Sequence, residues 1–317
     1  MGERVAAIDC GTNTLKLLVG SFVGDELEVA ARESRMVRLG QGVNETGRLA
    51  DEALQRAFAA IEEYATIVSD LGVPLGRVRF CATSATRDAG NGSDFTDGVR
   101  ARLGVVPEVL SGDEESALAF AGAMRGLTDE PAAPVLVVDV GGGSTEVVLG
   151  DRTGVLAARS MDVGSVRLHE RHVRHDPASA EELAAIRRVV DHHLDGCGVP
   201  IGEALSVVGI AGTCTTLAAA ALDLSSYDPD VIHGSVHDLG HVRATVDRLL
   251  AMTVEQRRAL PYMHPGRADV IAAGLVIVER VLARSRVSSL TVSESDILEG
   301  IAWSLAPGPS GPSGRDA

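Results

Sequence analysis

The sequence is almost without lysine: 29 of its 317 residues are lysine or arginine, and Lys16 is the single lysine. This scarcity excludes two common nucleotide-binding sites. A Walker A loop requires Gly-Lys followed by Ser or Thr, and a protein kinase requires a lysine on its third strand. Because Lys16 follows Leu15, neither pattern is present.

Acidic residues outnumber basic ones, 44 to 29, and the formal net charge is -15. This charge argues against a broad surface for nucleic acid or an anionic membrane, so an anionic ligand has to be held locally. The sequence contains no apolar run of eighteen residues and no targeting segment, and we expect a soluble, cytoplasmic protein. The cysteines stand singly, without a Cys-x-x-Cys pair, which favours free thiols in a reducing compartment: Cys10, Cys81, Cys197 and Cys214.

Strand-like and helix-like stretches alternate along the chain, which indicates an α/β fold. Apolar residues at helical spacing predict a long helix over 54–71 and a buried helix over 270–278. Several of the strand-like stretches are apolar throughout, as expected for strands covered on both faces. The predicted strands cover 4–9, 14–23, 77–83, 135–140 and 205–212.

A proline-rich stretch over 128–134 is the predicted boundary between two domains. The first domain is then 1–127, and the second is 128–294. The tail over 306–317 has the composition of a disordered segment and is left out of the fold.

One motif occurs twice. "AIDCGTNT" begins with Ala7, and "VVDVGGGSTE" aligns with it without a gap, with Asp139 on Asp9 and Ser144 on Thr14. In each copy a buried strand ends in Asp, and glycines and hydroxyl residues follow, which offers backbone N–H groups to phosphate oxygens and a carboxylate to a divalent cation. A single copy is explained equally well as a simple hairpin. Two copies facing each other across a cleft predict a phosphate clamp, similar to that of the actin-like ATPase superfamily.

Two further stretches offer charged candidates. In "SGDEES", Ser111 and Glu114 form a capping-box pattern, which leaves Glu115 free to orient a water molecule; a solvated acidic first turn is the alternative. In "ATSATRD", Arg87 is predicted to lie on a loop after a strand, where its planar fork suits phosphate. An ordinary surface arginine is the alternative there.

Two later stretches can be explained by local structure alone. "GIAGTCTTLA", residues 209–218, could take a further phosphate or a nucleotide, or could serve only strand-to-helix packing. "MHPGRAD" carries His264 and Arg267, and a helix start at Pro265 is sufficient to explain both.

The motifs "AIDCGTNT", "ATSATRD", "SGDEES", "VVDVGGGSTE", "DVGSVRL", "GIAGTCTTL" and "MHPGRADVI", in this order, resemble the exopolyphosphatase and guanosine pentaphosphate phosphohydrolase family over about 5–305. The resemblance implies two actin-like, ribonuclease H-like domains around a cleft, with a last helix over about 295–305 packing back on the first domain. Long family members carry a further helical region, so we expect the short two-domain form and a preference for short chains. A homodimer is also implied.

The resemblance also implies residue roles. Glu115 matches the general base, Arg87 a phosphate-binding arginine, and Glu146 a second acid near the water or metal. Ser116 replaces the alanine usual after the paired acids. Mg²⁺ or Mn²⁺ is expected near Asp9, Asp139 and Glu146. Phosphate binding is expected from Gly11, Thr12, Asn13, Thr14, Gly141, Gly142, Gly143 and Ser144, with Lys16.

The predicted activity is that of a phosphoanhydride hydrolase that releases orthophosphate from the end of inorganic polyphosphate. Hydrolysis of guanosine pentaphosphate at its 5'-terminal phosphate is the first alternative, because the same clamp and water would serve. A polyphosphate or alarmone sensor without turnover is the second, and an actin-like small-molecule kinase is the third.

Overall fold

The computed structural model describes residues 3–24 and 26–307. Eleven strands lie in the described ranges: β1 Arg4–Cys10, β2 Thr14–Val23, β3 Glu26–Met36, β4 Val78–Ala82, β5 Glu108–Val109, β6 Val135–Val140, β7 Thr145–Asp151, β8 Gly154–Met161, β9 Ser206–Ile210, β10 Val236–Asp238 and β11 Ser289–Val292. The α-helices there are α1 Val43–Thr46, α2 Asp51–Asp70, α3 Ser84–Asp88, α4 Gly92–Leu103, α5 Gly112–Gly126, α6 Ser165–His172, α7 Ala180–Asp195, α8 Ala211–Ala221, α9 Pro229–Ile232, α10 Leu239–Leu250, α11 Val254–Arg258, α12 Ile271–Arg284 and α13 Ile297–Trp303.

The strands form two sheets with the same internal order. The first sheet runs β3-β2-β1-β4-β5, with β1 to β3 antiparallel and β4 and β5 parallel to β1. The second sheet repeats this order as β8-β7-β6-β9-β11, with β10 added antiparallel at the edge. The predicted α/β fold is confirmed, and its two halves share one strand order.

The apolar strand sequences are explained by cover on both faces. Nearly every residue of β1 and β6 is buried. One core cluster lies in each half, and a third combines residues of both sheets with residues of α5 and α13. The predicted buried helix is α12, which begins at Ile271 and continues to Arg284, beyond the predicted end.

Helix α13 follows the last strand of the second sheet and packs against α5 and β1 of the first half. The exact domain bounds, 1–127 and 128–294, stay predictions. The predicted disordered tail falls on 308–317 for the most part, which lies outside the described residues. Across the described ranges, none of the helices combines the length and the apolar character needed to cross a membrane.

Candidate active site

The repeated motif forms the same hairpin twice. The N–H of Gly11 donates to the carbonyl of Thr14 at 3.0 Å, and the N–H of Gly141 donates to the carbonyl of Ser144 at 3.1 Å. The strand partners correspond as well. Asp9 lies opposite Lys16 in the first hairpin, and in the second hairpin the residue opposite Asp139 is Glu146.

The two glycine turns face one cavity of about 100 Å³. A Cβ atom added at Gly143 would lie 2.6 Å from the hydroxyl oxygens of both Thr12 and Ser84, so the turns meet closely at this point. Arg87 is the one predicted site residue outside the cavity lining. The cavity wall includes the other predicted residues, namely Asp9, Gly11, Thr12, Asn13, Thr14, Lys16, Glu115, Asp139, Gly141, Gly142, Gly143, Ser144 and Glu146.

Glu115 enters the cavity from the first turn of α5. The capping box is present, since Ser111 N–H donates to Glu114 Oε2 at 2.9 Å and Glu114 N–H donates to Ser111 Oγ at 3.3 Å. Glu114 is therefore occupied at the surface, whereas Glu115 is 7% exposed and faces inward. This arrangement leaves Glu115 available to act on a ligand.

Arg87 lies beside Glu115 although it does not line the cavity. Its Nη1 donates to the carbonyl of Leu110 at 2.8 Å and to Glu115 Oε2 at 3.3 Å. The prediction that Arg87 lies on a loop is wrong: residues 84–88 form the short helix α3, which starts directly after β4. The guanidinium therefore borders the acid that it is predicted to assist.

Four buried carboxyl groups share this cavity. Burial raises the pKa of Glu115 to about 8 against the lowering effect of Arg87, and burial together with Glu115 raises the pKa of Glu146 to about 8. Burial also raises the pKa of Asp9 to about 7, although Lys16 acts in the opposite direction. The pKa of Asp139 lies well above its ordinary value through burial and the neighbouring Glu146. A cation or a protonated group is needed to offset so much negative charge in a buried site.

A divalent cation fits one part of this arrangement. Within residues 3–24 and 26–307, Asp9 Oδ1 is buried without a hydrogen-bond partner, and a hard cation would satisfy it. In the same ranges no three His, Cys, Asp or Glu side chains are placed to hold a metal together, so Asp9, Asp139 and Glu146 do not form a closed cage. Mg²⁺ commonly takes one or two carboxylates, substrate phosphate oxygens and water, which is compatible with this donor set. The metal assignment stays a prediction.

Lys16 is already paired. Its Nζ donates to Asp296, the residue that caps α13, and both side chains are largely buried. Burial alone would lower the pKa of Lys16, but the carboxylates of Asp296 and Asp9 together raise it above its ordinary value. The only lysine therefore brings a fixed positive charge to the cavity floor and ties α13 to β2.

Sequence reasoning missed Arg267 as a site residue. Arg267 lines the cavity, and its Nη1 donates to Thr216 Oγ1 at 2.7 Å. The explanation by a helix start at Pro265 is wrong, because residues 265–270 form turns and α12 starts at Ile271. No local pattern shows that these turns reach α8. The remaining residues of the wall are Thr83, Ser84, Val140, Ser165, Ala211, Gly212, Thr213 and Ile297.

A family model matches most of the chain. The model of the Ppx/GppA phosphatase family matches residues 18–308. The chain belongs to the Ppx/GppA phosphatase family. The second hairpin, Glu115 and Arg87 fall inside the matched range, whereas the first turn, with Asp9 and Lys16, precedes it.

Individual Ppx/GppA relatives give the same family assignment. Exopolyphosphatase 2 of Mycobacterium tuberculosis is 45% identical, with 96% of this chain and 98% of that protein covered. The guanosine-5'-triphosphate,3'-diphosphate pyrophosphatase of Vibrio atlanticus is 27% identical, over 95% of this chain and 59% of that protein. A crystal structure of an exopolyphosphatase-like protein superposes with a TM-score of 0.92 at 40% identity, covering 95% of this chain and 97% of that one.

Proposed function

We propose that this chain is an exopolyphosphatase, which releases orthophosphate from the end of inorganic polyphosphate by the attack of water. The observation that carries the proposal is Glu115, a buried acid in the same cavity as two facing glycine turns. The 45% identity to a protein named exopolyphosphatase supports this substrate over the alternatives.

The terminal phosphoryl group is held by the second glycine turn. The N–H of Gly141 closes the turn on the Ser144 carbonyl, and the N–H groups of residues 142–144 are the donors proposed for phosphate oxygens. Arg87 adds a fork of donors beside Glu115, and Lys16 adds a fixed positive charge opposite Asp9. These groups orient the scissile bond toward the acid.

Glu115 directs the attacking water. A general base works best when its pKa lies near the working pH, and burial raises the pKa of Glu115 to about 8. The water has to approach in line with the leaving phosphate oxygen. Glu115 accepts the proton of that water, and Arg87 keeps the carboxylate in position.

Asp9, Asp139 and Glu146 are the residues proposed to bind Mg²⁺ or Mn²⁺. When bound, the cation would neutralise part of the negative charge of the phosphate groups. The Ser160 hydroxyl donates to Glu146 Oε1 at 2.6 Å and fixes one oxygen of this acid, while Asp9 Oδ1 lacks any partner among the described residues.

Guanosine pentaphosphate is a second candidate substrate because a larger cavity adjoins the first. This cavity, of about 550 Å³, shares Lys16 and Arg267 with the cleft and includes Tyr227 and Tyr262 in its wall. Aromatic side chains offer a face for a nucleobase. Its size leaves room for a nucleoside beside the phosphate site.

The proposal includes a cytoplasmic location. All four cysteines lie in the described ranges, where they are buried and free, as fits a reducing compartment. The homodimer implied by the resemblance stays a prediction for sedimentation analysis.

The test is orthophosphate release by the wild-type protein with Mg²⁺, using short polyphosphate, long polyphosphate and guanosine pentaphosphate in parallel. We expect release from polyphosphate, fastest from short chains. Release from the nucleotide alone would replace the proposed substrate by the alternative. Binding of all three without release would make the protein a sensor, and a phosphorylated acceptor would make it a kinase.

A further inference from the structure

The second glycine turn, over 141–144, is held by the start of α6. The N–H groups of Ser165 and Val166 donate to the first two carbonyls of the turn, each at 2.9 Å. The carbonyl of Gly143 accepts from a side chain instead, the Nε of Arg167, at 2.7 Å. In a trans peptide the C=O of one residue and the N–H of the next point in opposite directions. Because α6 holds these three carbonyls, the three N–H groups that follow them face away from α6.

The first glycine turn is held in the same way by the segment over 37–44, in its own half. The Gly40 N–H donates to the Thr12 carbonyl at 2.8 Å, and the Arg38 N–H donates to the Asn13 carbonyl at 2.9 Å. The N–H groups that follow these two carbonyls therefore face away from this segment. Each turn thus has its own support, which is the segment over 37–44 for the first turn and α6 for the second.

Arg167 belongs to α6 but also reaches the first half of the molecule. Its Nη1 donates to Asn44 Oδ1 at 2.7 Å, and its Nη2 donates to Asp88 Oδ2 at 2.5 Å. Asn44 lies in the support of the first turn, and Asp88 is the last residue of α3, next to Arg87. One guanidinium therefore bonds to the second turn, to the support of the first turn and to the helix that carries Arg87.

A simple surface ion pair would not need this geometry. Such a pair joins one cation to one carboxylate and contributes little to stability, whereas Arg167 uses each of its three nitrogen atoms on a different partner. A lysine would keep the charge opposite Asp88 but would lack the planar fork. The Gly42 N–H also donates to Glu170 Oε1 at 3.0 Å, which joins the same two supports. The guanidinium is therefore suited to a role that depends on its shape.

We propose that Arg167 is a positioning residue, which aligns the phosphate donors of the second turn only when the two halves are closed on each other. In the closed arrangement Asn44 and Asp88 hold the guanidinium, whose Nε holds the Gly143 carbonyl and so orients the Ser144 N–H. When the halves move apart, Arg167 loses both partners and this peptide is free to turn. Arg167 does not line the cleft cavity that the described residues form, so it can act on a ligand only through the turn.

The test compares the wild-type chain with variants on both sides of this contact. Arg167→Lys keeps the charge and removes the fork, and Asp88→Ala removes the carboxylate that holds it. The matched controls are Arg171→Lys, at an exposed arginine one turn later on α6, and Asp97→Ala, at an exposed aspartate of the first half. A double variant combines Arg167→Lys with Asp88→Ala. Circular dichroism checks the fold of each protein.

The first arm measures kcat and KM for orthophosphate release from short polyphosphate, and its outcome rests on the proposed function. We expect Arg167→Lys and Asp88→Ala each to lower kcat by about 10-fold to 10²-fold, since a small displacement of a phosphate donor is costly in the transition state. Both controls should stay near wild type. The double variant should be no slower than Arg167→Lys alone, because the two residues act through one contact. Additive losses, or wild-type kcat in a folded Arg167→Lys, would overturn the proposal.

The second arm needs no turnover and separates this inference from the proposed function. It follows amide hydrogen exchange over 141–145 and 165–167 in the free protein, where bonds between the turn and α6 protect the amides. Asp88→Ala lies in the other half, yet it should raise exchange in both segments, as Arg167→Lys does. Unchanged exchange in a folded Asp88→Ala would overturn the proposal even if polyphosphate is hydrolysed. Raised exchange in a protein that hydrolyses no polyphosphate would support the coupling and reject the proposed function.

Discussion

The two hairpins of the cleft have the same backbone but opposite charge at one position. Each has the same turn hydrogen bond and an aspartate at the end of its first strand. The residue opposite that aspartate is Lys16 in the first hairpin and Glu146 in the second. The duplicated scaffold therefore presents a positive charge on one side of the cavity and a negative charge on the other.

This difference explains how one fold element can serve two roles. Lys16 is held in place by Asp296, which also offsets part of its positive charge. Glu146 is crowded by Glu115, and its pKa is raised to about 8 by burial and by that neighbour. We infer that the first hairpin mainly holds phosphate charge, whereas the second hairpin works with the cation and the water.

The largest expected effect comes from giving the second hairpin the charge of the first. Glu146→Lys should lower kcat by about 10³-fold or more, because it removes an acid and places a cation beside the attacking water. Glu146→Gln, which keeps the shape, should lose less. Steady-state orthophosphate release measures both. Near wild-type turnover in Glu146→Lys would show that the charge difference has no catalytic meaning.

Removing the positive charge of the first hairpin should weaken phosphate binding and also lower the stability of the fold. Lys16→Met leaves Asp296 buried without its partner and should lower the free energy of unfolding by about 3 kcal/mol. Adding Asp296→Asn should recover part of this loss, since asparagine still caps α13. Urea unfolding gives the values. If Lys16→Met alone is as stable as the wild type, the ion pair between Lys16 and Asp296 does not stabilise the fold.

The two glycine turns should tolerate a methyl group differently. A Cβ at Gly143 would meet the hydroxyl oxygens of Thr12 and Ser84 at 2.6 Å, whereas a Cβ at Gly11 would meet only the Thr14 carbonyl, at 3.4 Å. Gly143→Ala should therefore cost about 1–3 kcal/mol through overpacking, and Gly11→Ala clearly less. Thermal melting of the two variants side by side checks the order, and equal losses would contradict it.

The last comparison concerns the pH dependence of stability without divalent cations. Glu115 and Glu146 have folded pKa values near 8 and ordinary values of 4.5, so the folded protein holds more protons between these limits. Stability should then fall as pH rises from 5 to 8. Lys16 has a raised pKa and stays protonated between pH 5 and 8, so it does not contribute to this change. Glu146→Gln should flatten the melting profile, and an unchanged slope would argue against a raised pKa at Glu146.

The sequence predicted the parts of the site that depend on local pattern. Strands β2 and β6 have the predicted bounds, because apolar runs between glycine turns leave little freedom. The capping box at Ser111 separated Glu114 from Glu115 correctly, since both partners lie within one helical turn.

The parts that it missed depend on contacts distant along the chain. Arg267 reaches Thr216 across 51 positions, and Lys16 meets Asp296 across 280. Strand β3 was not predicted, since its exposed charged residues resemble a loop and its pairing with β2 decides the structure. Such contacts follow from the way the two halves pack and leave no local trace.

The central claim is that Glu115 directs the attacking water. The most direct test measures kcat and tripolyphosphate binding for the wild type and for Glu115→Ala. Asp113→Asn is the matched control, an exposed acid in the same helical turn. We predict that Glu115→Ala lowers kcat by about 10²–10⁴-fold with binding largely kept, while Asp113→Asn stays near wild type. Retained turnover in Glu115→Ala would contradict the account.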